Sequence, residues 1–365
     1  MIKILHIVPK LSRDGISTFI LNYLQAFDKE DIVFDFICMQ IDSDSIVSSV
    51  EKHGGRVFTV PLLSLRKILS NFYFILSFFY KKHKEYDVIH VHQIGAGFFY
   101  LFIAWIFRIP KRIAHSHSTM YSANKKKALI HKIFTQTFLG FATDYWGCSQ
   151  VAGQFLFGEK KWNKQGVLVK NAVPLSKYSY SESNRNMLRK KLDLSPNCKV
   201  FLFVGYLNAG KNPFFAFDVF SKFVSKEPNA KLLICGTNYM GNTVVDYLRD
   251  KCIDNKVLLL GSCSNIEHFY SAADILLFPS LAEGLPFSVV EAQVSGLPCL
   301  ISNRITAEVE ILNTTIRYPL EEGADSWANQ AQQMLLGCRK GGEKQVELSG
   351  YDIVSAGKRL QQLYS

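Results

Sequence analysis

Short apolar segments that alternate with helical patterns are the feature that most constrains the fold of this chain. A first series of candidate strands lies at residues 2–8, 34–39, 56–60, 87–92, 111–116 and 167–173. A second series follows at residues 199–205, 230–236, 256–261, 274–280 and 298–302. Nearly continuous apolar strands between helices are typical of parallel sheets that are covered on both faces. The pattern therefore predicts an α/β chain with two doubly wound, Rossmann-like domains.

The length of the chain also favours two domains. A single hydrophobic core stops growing near ~250–300 residues, and this chain has 365. The stretch at residues 178–198 is polar and lies between the two series of strands. We therefore expect a first domain over residues 1–180 and a second domain over residues 190–348.

The basic residues are distributed unevenly. Residues 1–180 carry 23 Lys and Arg against 12 Asp and Glu, whereas residues 181–365 carry 19 of each. The net charge of +11 therefore belongs to the first half, where Lys81, Lys111 and Lys125 begin basic clusters next to apolar residues. This pattern favours an anionic membrane surface as a partner, with a solvated basic face as the alternative. Nucleic acid is not expected, because the sequence has no zinc-finger, helix-turn-helix or RNA-binding signature.

Cysteine usage and the N-terminus indicate a reducing, cytoplasmic location. The eight cysteines include no CxxC pair, so a structural zinc site of the knuckle type is not expected. The opening segment MIKILHIV runs into a polar loop without a cleavage site, so we predict no signal peptide. The uncharged segment Ile94–Phe107 is shorter than the ~20 residues that span a bilayer, and it predicts a buried helix. Peripheral attachment to the inner face of the plasma membrane is the alternative to a purely cytoplasmic protein.

Ligands of parallel α/β sheets bind beyond the carboxyl ends of the strands. This rule directs attention to the loops that follow strands, at Asp14-Gly15, His115–Ser118, Gly205–Lys211 and Pro279–Pro286. The segment 274–302 carries the strongest pattern, because it reads as strand, loop, helix, turn and strand. Pro286 is suited to the first helical turn and Gly296 to the residue after the helix, which predicts a helix over residues 286–295.

Two glutamates flank the start of this helix, Glu283 in the preceding loop and Glu291 on the second turn. Their spacing, with PS before them and SGLPCLIS after them, resembles the signature of glycosyltransferase family 4. These are retaining enzymes of the GT-B architecture, in which two Rossmann-like domains face each other across a cleft. The resemblance is closest to bacterial enzymes of capsular, exopolysaccharide and lipopolysaccharide synthesis.

The resemblance implies roles for four residues of this segment. Glu283 would contact the hydroxyls of the transferred sugar and act as a catalytic residue, and Glu291 would accept hydrogen bonds from the ribose. The backbone N–H groups of Phe287 and Ser288 would hold the diphosphate at the helix N-terminus. The alternative is a loop glutamate at the helix start and a surface glutamate on the helix, without a ligand.

The segment FVGYLNAGKNP, residues 203–213, resembles the phosphate-binding loop of the same family, and it predicts a helix from about Pro213. Gly205 and Lys211 match that loop, whereas Tyr206 stands where the family has an arginine. The resemblance implies that Lys211 binds the donor and stabilises the departing diphosphate. The alternative is a solvent-facing lysine at a helix start.

The first half resembles the family less strongly. In the segment KLSRDGIST, only Gly15 matches the family's glycine loop near the donor. In RIAHSHST, His117 is the first candidate for a catalytic or donor-sugar contact and His115 the second. Two residues apart on a strand, both side chains point the same way. The alternative is that they are core or loop histidines, and His90 and His92 are expected to be structural or on the acceptor side.

The resemblance implies transfer of a sugar from a nucleotide-sugar, most simply a UDP-sugar, to a glycan or lipid-linked glycan. It implies no metal ion and no cofactor besides the nucleotide-sugar substrate, and it implies that the last helix, about 350–365, packs back on the first domain. Two alternatives stay open: a catalytically impaired glycosyltransferase-like subunit, which Tyr206 favours, and a GT-B nucleotide-sugar epimerase. A nicotinamide dehydrogenase is poorly supported, because the only GxG is Gly95-Ala96-Gly97.

Overall fold

The computed structural model of the chain describes residues 1–12, 14–28, 30–42, 45–60, 68–122, 124–337, 339 and 341–365. These residues form an N-terminal unit, Met1–Ala172 with Ile353–Ser365, and a C-terminal unit, Val173–Asp352. Each unit has its own sheet of parallel strands with helices between them. The prediction of an α/β chain with two Rossmann-like domains is confirmed.

The N-terminal unit is built on a seven-stranded parallel sheet. In the order of the chain, the strands of this unit are β1 Ile2–Ile7, β2 Lys10–Leu11, β3 Ile32–Cys38, β4 Gln40–Ile41, β5 Val57–Thr59, β6 Val88–Val91, β7 Lys111–Ser116, β8 Asp144–Gly147 and β9 Gly166–Leu168. The short strands β2 and β4 flank the main sheet and pair with each other. The order across the main sheet is β5-β3-β1-β6-β7-β8-β9. Strand β8 was not predicted, because its four residues, DYWG, mix charged, aromatic and small side chains.

Helices connect these strands. They are α1 Gly15–Ala26, α2 Val47–Lys52, α3 Ile68–Lys82, α4 Phe99–Ile106, α5 Lys125–Phe138, α6 Gln150–Phe157 and α7 Glu159–Gln165. The uncharged segment at residues 94–107 forms α4, preceded by a 3-10 turn, and Leu101, Ile103 and Ala104 are completely buried. Among the described residues, no helix has both the length and the apolar character that crossing a bilayer requires.

The C-terminal unit is built on a six-stranded parallel sheet in the order β12-β11-β10-β13-β14-β15. Its strands are β10 Lys199–Val204, β11 Ala230–Cys235, β12 Val257–Leu259, β13 Ile275–Phe278, β14 Cys299–Ser302 and β15 Thr315–Tyr318. Its helices are α8 Leu175–Tyr178, α9 Glu182–Lys191, α10 Pro213–Val224, α11 Asn242–Asp250, α12 Ile266–Ala272, α13 Phe287–Val294, α14 Gly323–Met334 and α15 Glu343–Leu348. Strand β15 was not predicted, because TIRY is short and half-polar.

The polar stretch between the two series of strands is an ordered part of the C-terminal unit. Within it, α9 lies against the end of α12, where the Arg185 guanidinium binds the Asp274 carboxylate at 2.7 Å. Arg189 donates hydrogen bonds to the carbonyls of Ala272, at 3.0 Å, and Cys198. These contacts explain the polar composition of the segment.

The last helix, α16 Ile353–Tyr364, belongs to the N-terminal unit and packs against α1. A Cβ atom on Gly357 would lie 3.1 Å from the Cβ of Ala26, so the two helices approach closely at small residues. The Tyr364 side chain is buried beside Trp146, with ring centroids 5.3 Å apart. The chain therefore returns to its first sheet after completing the second.

Candidate functional site

Two loops that follow the neighbouring strands β10 and β13 lie together in the C-terminal unit. The Leu281 N–H donates a hydrogen bond to the Gly210 carbonyl at 2.8 Å, and the Asn212 side-chain amide donates to the Pro279 carbonyl at 3.3 Å. Because the two strands are parallel and paired, both loops leave the sheet at its carboxyl edge. The loops predicted at residues 205–211 and 279–286 therefore form one site.

Lys211 and Glu283 meet at the junction of these loops. The Lys211 Nζ atom lies 2.6 Å from Glu283 Oε1, and it lies 4.8 Å from the centroid of the Phe278 ring. The two side chains keep 23% and 16% of their surface exposed, so the ion pair is reachable by a ligand but largely shielded from water. A cation and a hydrogen-bond acceptor are thus held side by side at the sheet edge.

Glycines allow the loop that carries Lys211, residues 205–211 and called the lysine loop below, to approach its neighbours. A Cβ atom on Gly236, which follows β11, would lie 1.9 Å from the carbonyl oxygen of Gly205, a distance that no real side chain tolerates. Gly205 itself has φ +145°, and a Cβ there would lie 3.2 Å from Lys211 Cε. The predicted Gly205 is therefore part of the packing that positions Lys211.

Helix α13 begins directly after the second loop. It spans Phe287–Val294, with Pro286 at the N-cap, so it starts one residue later than predicted and has no side-chain hydrogen bond at its cap. The Phe287 side chain is buried and Ser288 is half-buried. Gly296 follows the helix at φ +65° and closes it as predicted, since its N–H and that of Leu297 donate to carbonyls in the last turn. A helix N-terminus presents backbone N–H groups that can bind an anion.

Glu291 is buried on α13 within a pair of tyrosines. The Tyr270 hydroxyl donates a hydrogen bond to Glu291 Oε2 at 2.7 Å, and Tyr178 also hydrogen bonds with this carboxylate. Burial raises the pKa of Glu291, while the bonds from Tyr270 and Tyr178 and the charge of Lys177 act in the opposite direction. The same environment raises the pKa of both tyrosines. The ribose contact expected for Glu291 stays a prediction.

Little in the sequence marks the two tyrosines as part of the site. Tyr270 stands in the segment GSCSNIEHFYSAAD, which matches the family pattern, but its contact with Glu291 depends on how α12 packs against α13. Tyr178 ends the short helix α8 and shows no pattern that marks it. Both are additions to the predicted site.

Tyr206, which replaces the family arginine, lies edge-on to Tyr239. Their ring centroids are 5.1 Å apart with planes at 68°, and Tyr239 is 58% exposed. The backbone beside them is tied down, because the Leu207 N–H donates to the Thr237 carbonyl at 3.0 Å. An aromatic pair therefore occupies the position where a guanidinium is expected.

The predicted glycine loop of the N-terminal unit starts α1. Asp14 is the N-cap, and its Oδ1 accepts a hydrogen bond from the Ser17 N–H at 2.9 Å. The Ser12 N–H donates to Ser17 Oγ at 3.2 Å. Gly15 is exposed, and a Cβ atom there would meet nothing within 4 Å, so the surface beside it is open.

His115 and His117 belong to a cluster of five histidines in the N-terminal unit. Their ring centroids are 3.9 Å apart, which confirms that the two side chains point the same way. His115 is completely buried, whereas His117 is half-buried, so His117 is the one with surface to offer a ligand. His90 and His92 are buried beside them, and the structural or acceptor-side role expected for them stays a prediction. The donor-sugar contact of His115 and His117 stays a prediction.

Helix α5 carries an exposed surface that is both apolar and basic. Leu129, Ile130, Ile133 and Phe134 are 61%, 53%, 53% and 40% exposed. The lysines of its first turn, Lys125–Lys127, are exposed as well. Basic and apolar side chains of the kind predicted for the first half thus lie exposed together on this helix.

Comparisons with known proteins match both units. The family model described as Glycosyltransferase Family 4 matches residues 13–151, and the one described as Glycosyl transferases group 1 matches residues 184–341. Together they cover most of both units, which agrees with the motifs found in each half. Sequence relatives and solved structures extend the similarity over nearly the whole chain.

The chain is 27% identical over 330 residues to EpsF of Bacillus subtilis (strain 168), which covers 89% of this chain and 86% of that protein. It is 27% identical over 319 residues to the UDP-Gal:alpha-D-GlcNAc-diphosphoundecaprenol alpha-1,3-galactosyltransferase of Escherichia coli, covering 83% and 79%. It is 22% identical over 376 residues to the capsular polysaccharide biosynthesis glycosyltransferase CapH of Staphylococcus aureus, covering 100% and 99%.

Solved glycosyltransferase structures share the fold. Anabaena Alr3699/HepE in complex with UDP-glucose superposes with a TM-score of 0.80 at 15% identity, covering 100% of this chain and 99% of that one. WaaG, a glycosyltransferase involved in lipopolysaccharide biosynthesis, superposes with a TM-score of 0.74 at 12% identity, covering 99% of each chain. At these identities the similarity concerns the fold.

Proposed function

This chain belongs to the family 4 glycosyltransferases, and from that premise we propose that it transfers a hexose from a UDP-sugar to a lipid-linked glycan. The proposed reaction is retaining and serves the synthesis of a surface polysaccharide. The Lys211–Glu283 pair, held by two loops of which the second leads into α13, is the observation that carries the proposal. A cation, free backbone donors and a carboxylate are the groups that a diphosphate and a sugar require.

The diphosphate is assigned to Lys211 and the start of α13. An incoming diphosphate competes with Glu283 for the Lys211 ammonium, because phosphate oxygens carry more charge than one carboxylate. The N–H groups of Phe287 and Ser288 add hydrogen bonds and the partial positive charge of the helix N-terminus. Charge on the departing diphosphate is then stabilised without a metal ion.

The same exchange brings Glu283 to the sugar. Once Lys211 turns to the diphosphate, the Glu283 carboxylate accepts hydrogen bonds from two neighbouring hydroxyls of the sugar. Glu291 accepts hydrogen bonds from the ribose through the oxygen lone pairs that Tyr270 and Tyr178 do not use. Gly205 and Tyr206 belong to the loop that carries Lys211. The family resemblance also implies donor contacts for Gly15, His117 and His115 of the N-terminal unit, and these contacts stay predictions.

The chemistry of the proposed transfer is mainly positioning. The acceptor hydroxyl attacks the anomeric carbon from the side that the diphosphate leaves, through a transition state with oxocarbenium character. Holding both reactants in place and neutralising the leaving group supply the rate enhancement. No protein nucleophile and no cofactor enter this proposal.

Relatives support the choice of substrates. Anabaena HepE was solved with UDP-glucose, and the Escherichia coli relative is named for a UDP-Gal donor and a diphosphoundecaprenol-linked acceptor. An acceptor of that kind is anchored in a membrane, and α5 presents apolar side chains next to Lys125–Lys127. We assign to α5 a peripheral contact with the anionic inner face of the plasma membrane.

Thermal denaturation of the full chain with UDP-, GDP-, ADP- and CMP-sugars tests the donor assignment. A ligand at a hundredfold excess over its Kd stabilises the folded state by about 2.7 kcal/mol, which raises Tm by several degrees. We expect this with UDP-sugars in the wild type, little with Lys211→Ala, and the full rise with the control Lys222→Ala on the exposed face of α10. No rise with any nucleotide-sugar would contradict the proposal.

The two alternative functions, a nucleotide-sugar epimerase and a catalytically impaired subunit, would give different products from a glycosyltransferase. Incubation with the UDP-sugar that stabilises the chain, with and without a lipid-linked acceptor, followed by chromatography of the nucleotides, separates them. Release of UDP that depends on acceptor is expected. A changed sugar on intact UDP without acceptor would indicate an epimerase, and binding without any turnover would indicate the impaired subunit that Tyr206 favours.

A further inference from the structure

Five histidines on three adjacent strands form a largely buried cluster, and the proposed transfer reaction assigns a role to only two of them, His115 and His117. Within β1, β6 and β7 and the residues that follow them, the cluster consists of His6, His90, His92, His115 and His117. His6 and His90 lie opposite each other in the parallel register, and steps of two residues place the others on the same face. The cluster is therefore a product of strand alternation and register.

Hydrogen bonds connect the rings in two separate rows, each called a file here. In one file, His6 Nδ1 lies 2.9 Å from His92 Nε2, and His92 Nδ1 lies 2.8 Å from His117 Nε2. In the other, His115 Nδ1 lies 3.0 Å from His90 Nε2, and His90 Nδ1 lies 2.7 Å from the Tyr364 hydroxyl. Every ring thus has at least one nitrogen engaged by another member of the cluster or by Tyr364.

Burial lowers the pKa of each of the five rings, which favours the neutral imidazole. A neutral imidazole has one N–H donor and one lone pair. Two buried nitrogens, Nε2 of His6 and Nε2 of His115, have no hydrogen-bond partner among the described residues. Since an unsatisfied buried nitrogen is unfavourable, the cluster has unused capacity for a ligand.

Two overlapping triads of this cluster bring three ring nitrogens within 4.8 Å of one another: His6, His90 and His92, and His92, His115 and His117. Both nitrogens of His90 are already engaged, and the first triad is fully buried. The second triad contains the unpartnered nitrogen of His115 and reaches the surface through His117. Only the second triad therefore offers both a vacant lone pair and access to water.

We propose that His92, His115 and His117 bind a divalent transition metal, best Zn²⁺, through three neutral imidazoles and one solvent ligand. Three histidines with a solvent molecule in the fourth position are an established coordination set for Zn²⁺. The site contributes no anionic side chain, so the solvent ligand must be able to carry negative charge, which the half-buried position of His117 permits.

The hydrogen bonds identify the ligating nitrogens. Because His92 Nε2 faces His6 and His115 Nδ1 faces His90, the remaining nitrogens are Nδ1 of His92 and Nε2 of His115. Nε2 of His117, which now faces His92 Nδ1, is the third. Two nitrogens on a tetrahedral ion lie about 3.3 Å apart, so His92 and His117 separate by a few tenths of an ångström when the ion replaces their hydrogen bond.

This assignment gives the metal ligands an outer shell. His92 donates its Nε2–H to His6 and His115 donates its Nδ1–H to His90, which in turn bonds with Tyr364 of α16. Partners of this kind orient the ligating rings and strengthen metal binding. Nδ1 of His117 stays available as an N–H donor.

Cobalt titration of the full chain tests the proposal, and it does not depend on any transferase activity. The protein is prepared without a histidine tag, treated with a chelator, and titrated with Co²⁺ at pH 7.5, followed by displacement with Zn²⁺. We expect the visible absorption of tetrahedral Co²⁺ to saturate at one equivalent and to disappear when Zn²⁺ is added. A folded wild type that develops no such band overturns the proposal.

Substitutions locate the ion. His117→Ala is the first variant, because its half-buried side chain is the ligand whose loss disturbs the fold least, and His53→Ala, outside the cluster, is the matched control. We expect His117→Ala to weaken metal binding at least tenfold and His53→Ala to leave it unchanged. An unchanged affinity in both His117→Ala and the conservative His117→Asn would overturn the assignment to this triad.

Discussion

Lys211 and Glu283 are 72 positions apart in the chain, yet their side chains form an ion pair with Nζ 2.6 Å from Oε1. The pair exists because β10 and β13 are neighbours, so the loops that follow them share one edge of the sheet. In the proposed reaction the pair separates, and each partner takes a different part of the donor.

Removing one partner of this pair separates binding of the diphosphate from binding of the sugar. We expect Lys211→Ala to weaken binding of both UDP and a UDP-sugar, since the ammonium contacts the diphosphate. We expect Glu283→Gln to leave the affinity for UDP within a few-fold, or to raise it, while turnover falls about 10²–10³-fold, the range for loss of a group that stabilises a transition state. Calorimetric titration with UDP and a turnover assay measure the two effects. Equal loss of UDP affinity in both variants would contradict the separate roles.

Glu291 makes the stability of the C-terminal unit depend on pH. Burial raises the pKa of Glu291 in the folded protein. As pH rises, the unfolded chain therefore loses this proton at a lower pH than the folded protein does. Stability from this group is complete below the unfolded pKa, near ~4.3, and falls as pH rises through the folded pKa. We expect the Tm difference between Glu291→Gln and the wild type to shift in favour of the variant between pH 4.5 and pH 7. A Tm difference that does not change with pH would contradict this expectation. It would mean that the hydrogen bonds from the tyrosines stabilise the charged carboxylate as strongly as burial destabilises it.

Gly236 and Gly15 differ in what surrounds them, and alanine at each position tests this. A Cβ on Gly236 would lie 1.9 Å from the Gly205 carbonyl, so Gly236→Ala must displace the lysine loop. We expect a loss of about 1–3 kcal/mol or more in unfolding free energy, as for overpacked sites, and weaker UDP binding. Gly15→Ala meets nothing within 4 Å and is the matched control with near-normal stability. Equal stability of the two variants in urea denaturation would contradict the packing.

Substitution of Tyr206 by arginine restores the residue that the family has at this position. We expect Tyr206→Arg to raise the affinity for UDP, because a guanidinium at this position binds phosphate oxygens with two charge-assisted hydrogen bonds. Tyr206→Phe, which keeps the ring that packs on Tyr239, is the control with unchanged affinity. If Tyr206→Arg leaves UDP binding and turnover unchanged in a folded protein, this position lies away from the diphosphate.

Helix α5 is expected to bind anionic membranes. Each lysine near such a surface contributes about 1 kcal/mol, so replacing Lys125, Lys126 and Lys127 together by alanine should weaken binding to phosphatidylglycerol vesicles about 100-fold. The control replaces three exposed lysines elsewhere, Lys160, Lys164 and Lys190. Vesicle co-sedimentation at low and high salt measures the effect. Similar losses in both triple variants would indicate non-specific attraction by net charge.

Sequence patterns predicted the elements of the fold where apolar runs were long. Strands β10, β11 and β13 and the helix after Pro213 lie where the periodicity indicated, and α13 starts within one residue of its predicted position. The four-residue strands β8 and β15 were missed, because their side chains are mixed and their strand character comes from neighbours in the sheet. The division after Ala172 also depends on packing, since the polar stretch that follows is held by Arg185 and Arg189.

By itself, the sequence determined two parallel α/β sheets, the loops that carry Lys211 and Glu283, and the family to which the chain belongs. Those properties are local, because periodicity, helix boundaries and motif spacing are set by residues close together in the chain. Tertiary structure alone decided that Lys211 pairs with Glu283, that two tyrosines enclose Glu291, and that five histidines meet in one core. The physical reason is that strand order and register place distant residues side by side, and no pattern within a single segment encodes them.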